Sequence, residues 1–432
     1  VSAARLWGLH ANHPPTLCYY SVVSQAIFTT QKQKQKNYKN RPSKIIDFKD
    51  LRNLSKKLKS AKKLVVFTTG SYDLLNPGHC RYLAEAKAHG DVLVVGVSTD
   101  ESDSRTHGEA YPFVNEKVRA EMVSFLRPTD FVITVDEVYP HGVLALLKPD
   151  VFFTYYKSWE NGIRDEQEKY LVESGGGRVV IRDASSRHFG ANDLVNHVAD
   201  IRVIRILEDY LKEKVKDFHL DPESDLRPVD YGDQKPKFEG TFDPRSLIVN
   251  FSDLAALGEK YRKRDKTVAF VAGSYDLLHV GHARFIEQAG VLADILVVGI
   301  PSDKSLRRLK GVGRPVICEH SRALVLGHLD CVNHMVIFDD DTVMNTLEAL
   351  KPDIFFTVAE EWNNYKASNE YKLVKSYGGK VVASPRQAPF ISASAMIDKM
   401  ALGKVREIFK ECMDEERYAR ILQETARKNG GR

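Results

Sequence analysis

Residues 70–79 read GSYDLLNPGH and residues 273–282 read GSYDLLHVGH, so a decapeptide recurs with two changes at an interval of 203 residues. The same interval carries DVLVVGVSTD at 91–100 onto DILVVGIPSD at 294–303, and LKPDVFFT at 147–154 onto LKPDIFFT at 350–357. Beyond that point the register slips by one residue, LVESGGGRVV at 171–180 matching LVKSYGGKVV at 373–382. Self-similarity at a fixed interval marks a duplicated domain. The two decapeptides differ where a second histidine could stand, Asn76 in one copy against His279 in the other.

Around the decapeptide each copy alternates short β-branched runs with helical patterns. LVVFTTG, HCRYLAEAKAHG and DVLVVGVST follow one another in the first copy, as TVAFVAG, ARFIEQAGVLA and DILVVGI do in the second. Strands of that length separated by helices predict βαβ units and a parallel sheet covered on both faces. The expected fold is α/β, two tandem Rossmann-like domains over 62–212 and 266–400. A basic extension over 1–61 precedes them, a charged, proline-bearing linker over 213–265 joins them, and an amphipathic helix over 401–432 follows.

Composition narrows the classes further. With 43% hydrophobic and 28% charged residues in 432, the chain is globular and long enough for two cores. No apolar run approaches the roughly 20 residues of a spanning helix, so no transmembrane segment is expected. The five cysteines, Cys18, Cys80, Cys318, Cys331 and Cys412, form no CxxC and no zinc spacing, which argues against a disulfide or metal framework. A formal charge of +5 is too small to argue nucleic-acid binding. The first acidic residue is Asp47, and the preceding segment, rich in Lys, Arg, Ser and Thr, has the composition of a mitochondrial presequence or of a plain basic tail. Mitochondrial and cytoplasmic locations both stay open, as does a protein partner that holds the extension. The QKQKQK run reads as a solvated face, with anionic-lipid or nucleic-acid contact the minority alternative.

The chemistry lies in the turn after the first strand of each copy. In the second copy Gly273 and Gly281 let backbone approach a ligand, and His282 falls near a helix start, where free N–H groups and the helix dipole favour an anion. His279 and His282 can both point at one phosphate group and donate hydrogen bonds as charge builds on it.

The pattern GxxDxxHxGH, directly after a strand and before a helix, resembles the cytidylyltransferase-like nucleotidyltransferase superfamily, and the tandem arrangement is similar to ethanolamine-phosphate cytidylyltransferase. LRRLKGVGRPV, the run around Arg322 and ALKPD look equally like bacterial heptose-phosphate adenylyltransferases. The resemblance covers about 62–400. It implies transfer of a nucleoside monophosphate from CTP or ATP to a small phosphate ester, with Mg2+ accompanying the nucleotide and pyrophosphate leaving. It further implies that His279 and His282 stabilise the α-phosphate, that Lys310 neutralises phosphate charge, and that Arg322 meets the triphosphate. Ser392 and Ser394, after Arg386, stand for a hydroxyl-bearing turn that opens a helix. After ALKPD, where relatives often carry Lys-Gly or His-Gly, stand Thr357 and Val358.

The first copy departs further from this pattern. Asn76 leaves His79 alone, THGEAYP has no lysine at the position of Lys310, and Gly190, Ala191 and Asn192 replace the hydroxyls, although Arg119 survives. Each lost oxyanion-type donor costs roughly 100 to 1,000-fold, so a lapsed first site and a competent second one are expected. Asp73 and Asp276 read as groups that hold the loop. Trp159 and Trp362, at matched places, read as core packing before a role against a cationic head group. The expected activity is CMP transfer to phosphoethanolamine in the second domain. Two alternatives stand beside it: a catalytically silent accessory subunit of a mitochondrial complex, and a sugar- or glycerol-phosphate nucleotidyltransferase.

Overall fold

The computed structural model describes residues 43–108, 111–136, 139–155, 163–182, 194–199, 228–230, 242–311, 313–361 and 365–412. Trp159, Trp362, the QKQKQK run, the Gly190 to Asn192 turn, residues 213–227 and 231–241 of the linker, and residues 413–432 lie outside the described residues.

The first copy runs α1 (Leu51–Ser60), β1 (Val65–Gly70), α2 (Pro77–Lys87), β2 (Val92–Ser98), α3 (Asp100–His107), α4 (Glu116–Ser124), β3 (Phe131–Val135), α5 (His141–Leu147), β4 (Val151–Tyr155), α6 (Ile163–Ser174) and β5 (Arg178–Arg182). The second runs α7 (Leu254–Arg262), β6 (Val268–Ala272), α8 (Val280–Leu292), β7 (Ile295–Pro301), α9 (Asp303–Lys310), α10 (Glu319–Gly327), β8 (His334–Phe338), α11 (Met344–Leu350), β9 (Ile354–Val358), α12 (Asn369–Ser376), β10 (Lys380–Ser384) and α13 (Ala393–Cys412).

Each copy folds into a five-stranded parallel sheet, ordered β3-β2-β1-β4-β5 and β8-β7-β6-β9-β10. The order reverses beside β1 and β6, and in such sheets ligands bind outside the strand carboxy ends at that reversal. The repeated decapeptides lie there, each between its first strand and the following helix. Central strands buried on both faces explain the unbroken apolar runs. Phe67 stacks on Phe152 at 5.8 Å in one core, and Phe270 on Phe355 at 6.1 Å in the other.

The boundaries expected at 61/62 and 265/266 fall inside the domains. Leu51 and Leu58 of α1 belong to the first core, and Leu254 and Leu257 of α7 to the second. The short segments before these helices extend the sheet edges at the same repeat interval: Ile45 bridges Val132, and Ile248 bridges Met335. Residues 43–60 are therefore the first domain's opening, and residues 242–265 are the second domain's. Within the stretch assigned to the linker, Val229 also pairs with the second domain, bridging Ile317. At the other end, α13 starts inside the second domain at Ala393 and not at residue 401.

The two copies meet through equivalent surfaces. Leu126 pairs antiparallel with Leu329, its own repeat counterpart. The flanking bonds are reciprocal, Arg127 N–H to the His328 carbonyl at 2.7 Å and Asp330 N–H to the Phe125 carbonyl at 3.0 Å. Helix α2 packs on α10 and α4 on α8. This is the isologous contact of a two-fold dimer, made within one chain.

Candidate functional site

In the second copy, β6 delivers the chain into Gly273–Leu278 and α8 starts at Val280, with His279 at the N-cap and His282 in the first turn. The two imidazoles stack at 3.8 Å between centroids, 22° from parallel. Gly281 makes this possible: a Cβ there would lie 3.0 Å from His279 Cε1 and 3.2 Å from Ala388 Cβ. A side chain at Gly273 would likewise meet the Tyr275 ring at 2.9 Å, and that ring stands edge-on to His282 at 5.4 Å. The Nδ1 atoms of His279 and His282 are buried without a hydrogen-bond partner. Burial holds His279 down at about 4, and burial together with His279 and Lys310 holds His282 well below the ordinary histidine range. Burial thus favours the neutral form of both rings, and an arriving anion would favour their charged, doubly donating form.

Lys310, exposed at the end of α9, reaches back to the motif, its Nζ donating to Ser274 Oγ at 2.9 Å. Ser392 caps α13, its Oγ accepting the Ala395 N–H at 3.1 Å, and Ser394 Oγ accepts from Arg314 Nη2 at 3.2 Å. Arg314 also donates to Asp276 at 2.5 Å, while the other oxygen of Asp276 accepts the Val316 and Ile317 N–H groups. Arg314 thus ties the motif turn to the start of α13. Arg386 lies on the exposed loop before α13, its N–H donating to the Glu360 carboxylate at 3.1 Å.

Arg322 is placed differently from the expectation that it meets a triphosphate. It is 2% exposed and donates to the carbonyls of Ile317, Ser274 and Pro301 and to Asp303. A guanidinium whose donors are committed beneath the loop supports the site from behind. Arg119 repeats the arrangement with Val114, Ser71 and Asp100, so it persists in the first copy for a structural reason.

The first cleft shows what replaced the pair. Asn76 is 1% exposed and caps its own helix, its Oδ1 accepting the His79 N–H at 3.2 Å. His107 occupies the position of Lys310 but is held at 3.0 Å by Asp103, a buried acid where the second copy has Leu306. Asp103 also accepts from Ser71, the counterpart of Ser274. Asp103 thus takes up both Ser71 and His107, whose counterparts Ser274 and Lys310 bond directly to each other. Sequence reasoning missed Asp103, because DESDSRTH at 100–107 and DKSLRRLK at 303–310 differ at most positions and the change from Leu306 does not stand out among them.

A strand-turn-helix with paired histidines and a reaching lysine at the sheet's reversal point defines a nucleotidyltransferase-type site. The model of the cytidylyltransferase-like family matches residues 67–177 and 270–399, once per copy and over more than half of the chain. The chain belongs to that family. Among similar proteins, "Bifunctional protein HldE" of Geotalea uraniireducens (strain Rf4) is 38% identical over 168 residues, 38% of this chain and 33% of that protein. The protein of the same name from Citrifermentans bemidjiense is 47% identical over 115 residues, 27% of this chain and 24% of that protein. The chain thus spans about a third or less of the length of these curated relatives. A solved lipopolysaccharide core biosynthesis protein from Thermoplasma volcanium GSS1 is 30% identical, covering 28% of this chain and 95% of that one, with a TM-score of 0.24.

Proposed function

We propose that the second domain transfers a nucleoside monophosphate from a nucleoside triphosphate to a small phosphate ester and releases pyrophosphate. The observation that carries this reading is the stacked pair of His279 and His282 at the start of α8, each with a buried Nδ1 that makes no hydrogen bond, with Lys310 tied to the same turn through Ser274. The acceptor phosphate oxygen attacks the α-phosphorus in line, and the bond to the pyrophosphate oxygen breaks. His279 and His282 donate to the α-phosphate oxygens as their charge grows, and Lys310 offsets the β- and γ-phosphates. Mg2+ would screen the triphosphate when bound. Among the described residues no group of three His, Cys, Asp or Glu side chains is placed to hold a metal, and Asp276 is taken up by Arg314 and two N–H groups, so the ion's ligands would be the phosphates themselves.

A sugar-phosphate acceptor with ATP is favoured over phosphoethanolamine with CTP. The similarity to proteins named HldE supports it, as does the likeness of LRRLKGVGRPV and ALKPD to heptose-phosphate adenylyltransferases. The folded protein incubated with Mg2+ and ATP or CTP, against sugar phosphates, glycerol phosphate and phosphoethanolamine, is expected to release pyrophosphate fastest with ATP and a sugar phosphate. Preference for CTP with phosphoethanolamine would reverse the substrate choice. No release with any pair would leave the accessory-subunit reading.

A further inference from the structure

We propose that Glu121, carried by the first copy, is a positioning residue of the second copy's site; the inference rests on the transfer reading above. Arg284 lies on α8, the helix opened by the histidine pair. Its Nε and Nη2 each donate to the Glu121 carboxylate at 2.6 Å, and its Nη1 donates to the Gln387 carbonyl at 3.2 Å. Gln387 is tied to the end of β10 through Ser384 Oγ at 3.0 Å and the Pro385 carbonyl at 2.6 Å. The next residue, Ala388, rests against Gly281, and the loop continues to Ser392 and Ser394. A planar guanidinium gripped on one edge by a carboxylate has its remaining N–H directions fixed. Glu121 thereby aims Arg284 at the loop that brings the serine turn to the cleft.

The repeat supplies an internal control. Arg284 has Arg81 as its counterpart, whereas Glu121 has Leu324, so the mirror-related position carries no carboxylate. The chain places this acid only on the side that serves the intact histidine pair. Two further contacts lead the same way: Lys399 of α13 donates to the Phe113 carbonyl of the first copy at 2.8 Å, and a small cavity beside His279 is walled by Leu75, Val118 and Met122 of the first copy with Ile391 and Met396 of the second. A first copy without its own chemistry thus still shapes its neighbour's site.

The test separates loop positioning from mere interdomain adhesion. In the full chain, Glu121→Ala and the milder Glu121→Gln are expected to speed amide hydrogen exchange over 384–395 and to weaken ATP and CTP binding, roughly tenfold for the alanine variant, the scale of one charged hydrogen bond. The double variant Glu121→Arg with Arg284→Glu rebuilds the ion pair but leaves no donor for the Gln387 carbonyl. It is expected to recover thermal stability without recovering exchange protection or nucleotide affinity. Unchanged exchange over 384–395 in Glu121→Ala, or full recovery of protection by the double variant, would overturn the proposal. The exchange readout decides it even in a protein that binds no nucleotide, a result that would sink the transfer reading instead.

Discussion

At the scale of single residues, Asn76 stands where the other copy has His279: both are N-cap residues, but only Asn76 caps its helix through the side chain, while the His279 ring stacks on His282. Asn is among the best N-cap residues, and removing such a cap costs about 1 kcal/mol. Asn76→Ala is therefore expected to lower chemical-denaturation stability by about that amount while leaving nucleotide binding unchanged; a loss of binding would show that the first cleft still works. Asp73 offers a second test. Burial raises its carboxyl to about 6, against the pull of the Phe113 and Val114 N–H groups and Arg119, and its copy lacks the partner that Arg314 gives Asp276, since Tyr111 stands there. An acid whose folded pKa exceeds its unfolded one binds more protons when folded, so its contribution to stability falls as pH rises between about 4 and 6. Relative to Asp73→Asn, the wild-type chain is expected to lose as much as about 3 kcal/mol across that window in urea titrations. A flat difference would contradict a carboxyl that burial holds above its ordinary range.

At the scale of elements, the sheets, their helices and the position of the histidine turn were legible because alternating apolar runs and the repeat interval reinforce each other. The opening helices were not. Leu51, Leu54 and Leu58 of LRNLSKKLKS stand at helical spacing, and Leu51 and Leu54 recur as Leu254 and Leu257. The first segment is otherwise polar and basic and so reads as part of the tail, although Leu51 and Leu254 are both fully buried. Leu51→Ala is expected to destabilise the first domain by about 2–5 kcal/mol, the range for a buried leucine, measured as a shift in the first unfolding transition. A change below about 0.5 kcal/mol, typical of surface substitutions, would place α1 outside the domain. Arg322 shows the opposite difficulty: a motif names a residue type, but only the fold reveals that its donors are consumed beneath the loop. Arg314 was hidden because its counterpart is Tyr111, which removes it from any repeat-based search.

At the scale of the whole molecule, a duplicated fold buries one copy against the other through Leu126 and Leu329, and the copies then diverge in opposite senses. The second keeps two stacked histidines, a lysine bonded to Ser274 of the motif turn, and Ser394 tied to that turn through Arg314. The first gains Asp103 and a self-capping asparagine, yet still supplies Glu121 and an apolar wall to its neighbour. Such cross-copy contacts join residues far apart in sequence and leave no local pattern, which is why the sequence alone showed how the two motifs differ but not how the copies touch. The most direct measurement of this asymmetry is calorimetric titration of the full chain with ATP and Mg2+, together with the His282→Ala and His79→Ala variants. One nucleotide per chain is expected, lost in His282→Ala and kept in His79→Ala; two equivalent sites, or binding that survives His282→Ala and disappears in His79→Ala, would contradict the account.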